Sequence, residues 1–186
     1  LPAPANVALE GDVRADLAAN KFSVAGLKLN ADYQDKALKA PATVSVGGNV
    51  LADLAANQVT VSGLTLKADY PDKSLTSPAG INLAADVMAD LGQTRLTLDK
   101  LTLSASWPEA TRPAALTAAL TGQVATNWTT GELEVPQFVI NAVVPDKAYP
   151  KPLQVSLNAP LQGNWKEMTF DLPGFVATAA GVKAEG

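Results

Sequence analysis

Asp16, Asp53 and Asp90 recur at a step of 37 residues, and Asn127 and Asn164 continue the series at the same step. A file of carboxylates and carboxamides is the ligand chemistry of calcium, a hard cation that gathers oxygens at about 2.3–2.6 Å. The spacing argues against it. On a sheet of hairpins, equivalent residues of successive units lie two strands apart, about 9.6 Å, too far to share one ion. The ladder therefore reads as turn capping, which follows from the local bonding habits of Asp and Asn. Catalysis has less to draw on. Ser and Thr are plentiful, but the chain has neither His nor Cys, and no carboxylate pair stands apart from the repeat, whereas an active site is a unique constellation. A glycine-rich phosphate loop is missing too, since Gly47 and Gly48 sit within a strand pattern and suggest a kink. No enzymatic activity, metal or cofactor is expected.

The same step organises the whole chain. Asp16-Leu17-Ala18-Ala19-Asn20 returns as Asp53-Leu54-Ala55-Ala56-Asn57; Pro4 maps to Pro41, Pro78 and Pro152, and Tyr33 to Tyr70, Trp107 and Val144. Five gapless units, 1–37, 38–74, 75–111, 112–148 and 149–185, imply one continuous body without an internal linker. Each unit is one supersecondary element stacked in fixed register, so any function belongs to the surface the stack makes. The opening Leu1-Pro2-Ala3-Pro4, without Met, and an end that falls inside what looks like another unit suggest a segment of a longer protein. With 47% hydrophobic and 17% charged residues, disorder is excluded. A net charge of −4 with Lys and Arg scattered singly offers no basic stripe, so no nucleic-acid partner is expected.

Within a unit, the first half alternates with period two: Val7, Leu9, Val13, Ala15 and Leu17 point one way, Glu10, Asp12, Arg14 and Asp16 the other. A tight turn follows at residues 18–21, where Asn20, Asn57 and Gly131 accept positive φ. The second half alternates too, but Val24 to Leu27 is a step of three. An extra residue absorbed as a β-bulge keeps the later side chains on the same face, and Gly26, Gly63 and Gly174 recur at the slip behind Pro136 and Pro173. A bulge is expected in the second strand of every unit. Polar connectors such as Tyr70-Pro71-Asp72-Lys73 lead to the next unit. Residues 112–120 are the best helix candidate, but their register in the repeat makes them strand. The expected fold is all-β, an elongated curled antiparallel sheet of about ten strands built from five 37-residue hairpin repeats.

That sheet carries its apolar side chains on one face, and no helical layer is available to cover it. At about 1.5–3 kcal/mol per fully buried large side chain, the face cannot stay bare in water. It closes on itself, is covered by another part of the parent protein, or takes lipid chains. Bulges at one height bend the sheet along a line into a trough. The candidate groove residues are Val13, Val24, Leu27 and Leu29 in the first unit and Val50, Val59, Val61, Leu64 and Leu66 in the second. Val87, Leu96, Leu98, Leu101 and Leu103 follow in the third unit, Val124, Leu133, Val135, Phe138 and Ile140 in the fourth, and Phe170, Leu172 and Phe175 in the fifth. Trp128 and Trp165, at the end of the first strand, and Tyr33, Tyr70 and Trp107, at the end of the second, either cap the core or meet headgroups at a wet boundary.

The phrase Val59-Thr60-Val61-Ser62-Gly63-Leu64-Thr65-Leu66 after Asp53-Leu54-Ala55, and its counterpart Leu172-Pro173-Gly174-Phe175, resemble the recurring phrase of the AsmA-like proteins. The resemblance covers all five units, and the rigid 37-residue spacing is its one departure from that family. It implies a periplasmic body of a Gram-negative envelope protein, anchored to the inner membrane by a segment outside this sequence. It also implies a curled β-sheet whose hydrophobic groove holds phospholipid acyl chains, for transport between membranes or outer-membrane maintenance. The alternative reading is a sealed β-sandwich or solenoid serving as a spacer or adhesion scaffold. A third is a groove plugged by the parent protein's own terminal segments.

Overall fold

The structure is a computed structural model that describes residues 5–148 and 151–186, so residues 1–4, including the first proline of the proline series, lie outside the described residues. Alternation and turn chemistry produce nine long strands: β1 (Ala5–Asp16), β2 (Lys21–Tyr33), β3 (Ala42–Asp53), β4 (Gln58–Tyr70), β5 (Ala79–Asp90), β6 (Arg95–Trp107), β7 (Leu116–Asn127), β8 (Glu132–Val144) and β9 (Leu153–Asn164). Three short ones follow, β10 (Thr169–Asp171), β11 (Val176–Ala179) and β12 (Val182–Glu185). All belong to one open antiparallel sheet in which each of β1 to β9 pairs with its sequence neighbours. The sheet is elongated and curled, and does not close into a barrel. Residues 112–120 hold no helix: they form a loop and the start of β7.

The tight turns occupy residues 17–20 and their copies, one residue earlier than the sequence suggests, so Leu17 leaves the strand and stands exposed. Each turn is closed by the ladder of Asp and Asn. Asp16 Oδ1 accepts from the Ala19 amide at 2.9 Å, Asp53 from Ala56 at 3.0 Å and Asp90 from Gln93 at 2.8 Å. Asn127 accepts from Thr129 and Thr130, and Asn164 from Lys166 and Glu167. The last turn residue is left-handed every time: Asn20 (φ 52), Asn57 (53), Thr94 (54), Gly131 (85) and Met168 (56). Successive turns also bond to one another, from the Leu54 amide to the Asn20 carbonyl at 3.0 Å through to Trp165 and Gly131 at 2.9 Å.

The bulge lies where the phase slips. Between Val24 and Leu27 two residues of β2 oppose one of β3, and the same excess recurs after Val61 in β4, Leu98 in β6 and Val135 in β8. Gly26 and Gly63 take φ of 60° and 61°, and Lys100 takes 52° in the third unit. The fifth unit departs from the expectation. Its second strand breaks at residues 172–175, giving β10 and β11, both paired to β9. The extra residue is absorbed in an unpaired gap instead of a bulge, and proline alone does not account for it, since Pro136 holds the same repeat position in the unbroken β8. A two-residue turn at Ala180 and Gly181, both left-handed, then adds β12. Broken strand and added strand together turn the expected ten into twelve.

Candidate functional site

Cross-strand partners share a face of a sheet, so the register fixes where each candidate side chain stands. One row runs Val13, Val24, Val50, Val61, Val87, Leu98 and Val124 across seven strands, each paired to the next, with Val135 opposite Leu161 beyond. A second row runs without a break from Leu9 and Leu29 through Val46, Leu66, Leu83, Leu103, Leu120 and Ile140 to Leu157. Nearer the turns, Val59 faces Ala89, Leu96 faces Thr126, and Leu133 and Phe170 flank Gly163. Leu27, Leu64, Leu101 and Phe138, just past the bulges, oppose Gly48, Ala85, Gly122 and Ala159. The small partners are required because the bulged backbone comes close: a Cβ on Gly122 would lie 2.8 Å from the Gln137 carbonyl. Twenty of the twenty-two candidates thus share one face. Leu172 and Phe175 fall in the gap between β10 and β11, where no β9 partner fixes their face.

That face is uncovered. Strands touch closely only as hydrogen-bonded neighbours, and the sparse burial shows that no sealed core forms among the described residues. Buried strand residues are few, Val135 being the only one larger than alanine. On β1 the exposures rise to 70% at Val7, 68% at Leu9 and 75% at Val13.

The face is hollowed at the connector end. A hollow of about 320 Å³ spans β3 to β7, with Val44, Ala68, Ile81, Ala105 and Ala118 among its lining and Tyr70 and Trp107 beside them. Its lining is almost wholly apolar. The paired row Val44, Ala68, Ile81, Ala105 and Ala118 floors it, and the short alanine side chains leave room beside the aromatic rings. The candidate residues chosen from the sequence lie nearer mid-strand. The missed signal is the alanine at one repeat position, 31, 68, 105 and 142, two residues before Tyr33, Tyr70, Trp107 and Val144.

One further feature escaped the sequence reading. Leu38 and Leu75, set in connectors that read as polar, are buried, and their connectors bond from Lys39 N to Pro71 O and from Thr76 N to Pro108 O, both at 2.9 Å. The opposite face is polar and carries the ion pairs Lys21–Asp53 (3.0 Å), Lys67–Asp69 (3.1 Å) and Lys100–Asp86 (2.8 Å). Asp86 sits below the ordinary carboxylate value because the Gly63 amide and then Lys100 favour its charged form. At the turn end Trp165 is held in place, its indole N–H donating to Thr126 Oγ1 at 3.2 Å and Lys166 lying over its ring. The ladder oxygens are committed to turn amides, and no group of three or more metal-ligating side chains occurs among the described residues.

Comparison with protein-family models, with curated proteins and with solved structures finds no match to this chain.

Proposed function

We propose that this chain is a lipid-holding segment of an AsmA-like envelope protein, in which acyl chains lie against the apolar face and move along it between membranes. The observation that carries this reading is an apolar face continuous across the long strands and, among the described residues, without a protein layer above it. A hydrocarbon guest gains about 0.8 kcal/mol per methylene it buries, and the repeated rows offer it similar surroundings at each step, so no deep well halts movement. Tyr70 and Trp107, each half wet, suit the boundary where chain meets headgroup. On this reading the segment works in the periplasm and reaches the inner membrane through regions outside this sequence, with phospholipid as its partner and no catalytic step.

The test is native mass spectrometry and lipid extraction of the purified segment, followed by photo-crosslinking with a diazirine-bearing phospholipid. Leu64→Asp and Leu101→Asp place charge on the apolar face and should abolish crosslinking, whereas Thr65→Asp, on the polar face, should leave it intact. A lipid-free protein whose residual crosslinking ignores all three substitutions would rule the proposal out.

A further inference from the structure

The two margins of the sheet are built differently. On one side the chain ends in β12, four residues long, with Phe175 and Gly186 exchanging backbone hydrogen bonds beside it. β1, on the other side, is twelve residues long, fully exposed and paired on one side only. Of the devices that blunt an edge it has only charges, Glu10, Asp12, Arg14 and Asp16, being neither short, nor interrupted by proline, nor bulged.

Its sequence also holds two residues whose partners are missing. Gly11 belongs to the small-residue series Gly48, Ala85, Gly122 and Ala159. Each of those pairs with the residue just past a bulge in the strand before it: Leu27, Leu64, Leu101 and Phe138. Asp12 belongs to a second series. Its copy Asn49 accepts the amide of the bulge glycine Gly26 at 2.8 Å, and its copy Asp86 accepts that of Gly63 at 2.8 Å. Where the bulge residue is Lys100 or Gln137, the corresponding positions hold Gln123 and Pro160. The short Asn or Asp thus accompanies a glycine bulge in the preceding strand, and among the described residues no strand precedes β1.

We propose that the β1 edge receives one more strand of the β2 type, with glycine at its bulge, supplied by a further unit of this repeat. The strand adds antiparallel in the register that joins β2 to β3. Asp12 accepts the bulge amide, Gly11 lies beneath the residue that follows, and Val7, Leu9 and Val13 gain the neighbour that Val44, Val46 and Val50 have. A second copy of this chain is a poor source, because β2, β4, β6 and β8 are already paired on both sides.

The experiment titrates a synthetic peptide with the sequence of residues 21–33 into the intact protein and follows amide exchange along β1. Bound peptide should slow exchange at the outward-facing amides of β1 and leave β5 unchanged. Asp12→Ala, or Gly26→Ala in the peptide, should weaken binding about tenfold, through a lost amide acceptor or a strained left-handed residue respectively. Asp12→Asn should bind as the parent does. Should the peptide prove insoluble, a chain with residues 1–37 duplicated at its start should bring exchange at Val7, Leu9 and Val13 down to that of Val44, Val46 and Val50. Unprotected β1 amides in either format, indifference to Asp12→Ala and to the glycine, or a β1-to-β1 dimer that the peptide cannot displace would each overturn the proposal.

Discussion

The two ends of the strands solve the same problem with different forces. At the turn end, each reversal is closed by a side-chain oxygen, a left-handed residue and an amide bond to the turn before, while the leucines there remain wet, Leu54 at 50% exposure. At the connector end the sequences vary, yet Leu75 is only 2% exposed and Ala79 is buried. Polar bonds hold one margin and hydrocarbon burial the other. Directional bonds suffice where the chain reverses in a few residues. The longer connectors have to be packed down, and that packing borders the hollow between Tyr70 and Trp107.

The largest effect that would separate the two ends is a truncation at each. Leu75→Ala removes a buried side chain and should cost about 2–5 kcal/mol, whereas Leu54→Ala, at the turn, should stay within about 0.5 kcal/mol. Denaturant midpoints of the two variants measure the difference. Equal losses would mean that the turn end is also held by burial.

A smaller effect tests the polar side of the contrast. Asn57 sits at φ 53, so Asn57→Ala should cost about 1–2 kcal/mol through left-handed strain, and Asn57→Gly should relieve it. Among the described residues the connectors contain no left-handed position, so glycine substitution there should bring no such gain. Thermal unfolding of the variants decides the point. A turn that tolerates alanine as well as glycine would show that the caps, and not the backbone angle, hold it.

Much of this contrast was legible in the residues. The 37-residue step fixes the register, alternation fixes the face, and the Val24-to-Leu27 slip with its glycines locates the bulge, because each is a local property of the chain. The hollow was harder to read. It arises where small residues of five neighbouring strands, such as Ala68 and Ala105, come together, and one strand alone does not reveal the hollow that several make. Leu38 and Leu75 escaped because their neighbours in sequence are polar while their cover comes from the next unit. Residues 172–175 misled because Leu-Pro-Gly-Phe matches the phrase Val135-Pro136-Gln137-Phe138, which does form a bulge in the unbroken β8, so the phrase alone does not tell a bulge from a gap. Lys100 shows the converse: a residue that disfavours φ 52 is held there, with Asp86 2.8 Å from its ammonium.

The finest test concerns charge. Asp53, at the turn end, is held below its ordinary value of 3.8 first by Lys21 and then by the Ala56 amide. Asp72, at the connector end, is lowered first by the Ser74 hydroxyl and then by the Ser74 amide, at 2.6 and 2.7 Å, with Lys39 and Lys73 contributing less. Both carboxylates bind protons more weakly folded than unfolded. Their contribution to stability is therefore complete above the ordinary value and is lost as pH falls through the depressed one. Salt should tell them apart. At about 1 M the screening length is near 3 Å, which weakens the exposed Lys21–Asp53 pair but barely touches short hydrogen bonds from a hydroxyl and an amide. Carboxyl NMR titrations at low and high salt should move the Asp53 midpoint upward toward its ordinary value and leave that of Asp72 nearly fixed. If both move together, long-range charge dominates at each end, and the division between a bonded margin and a packed one does not extend to their electrostatics.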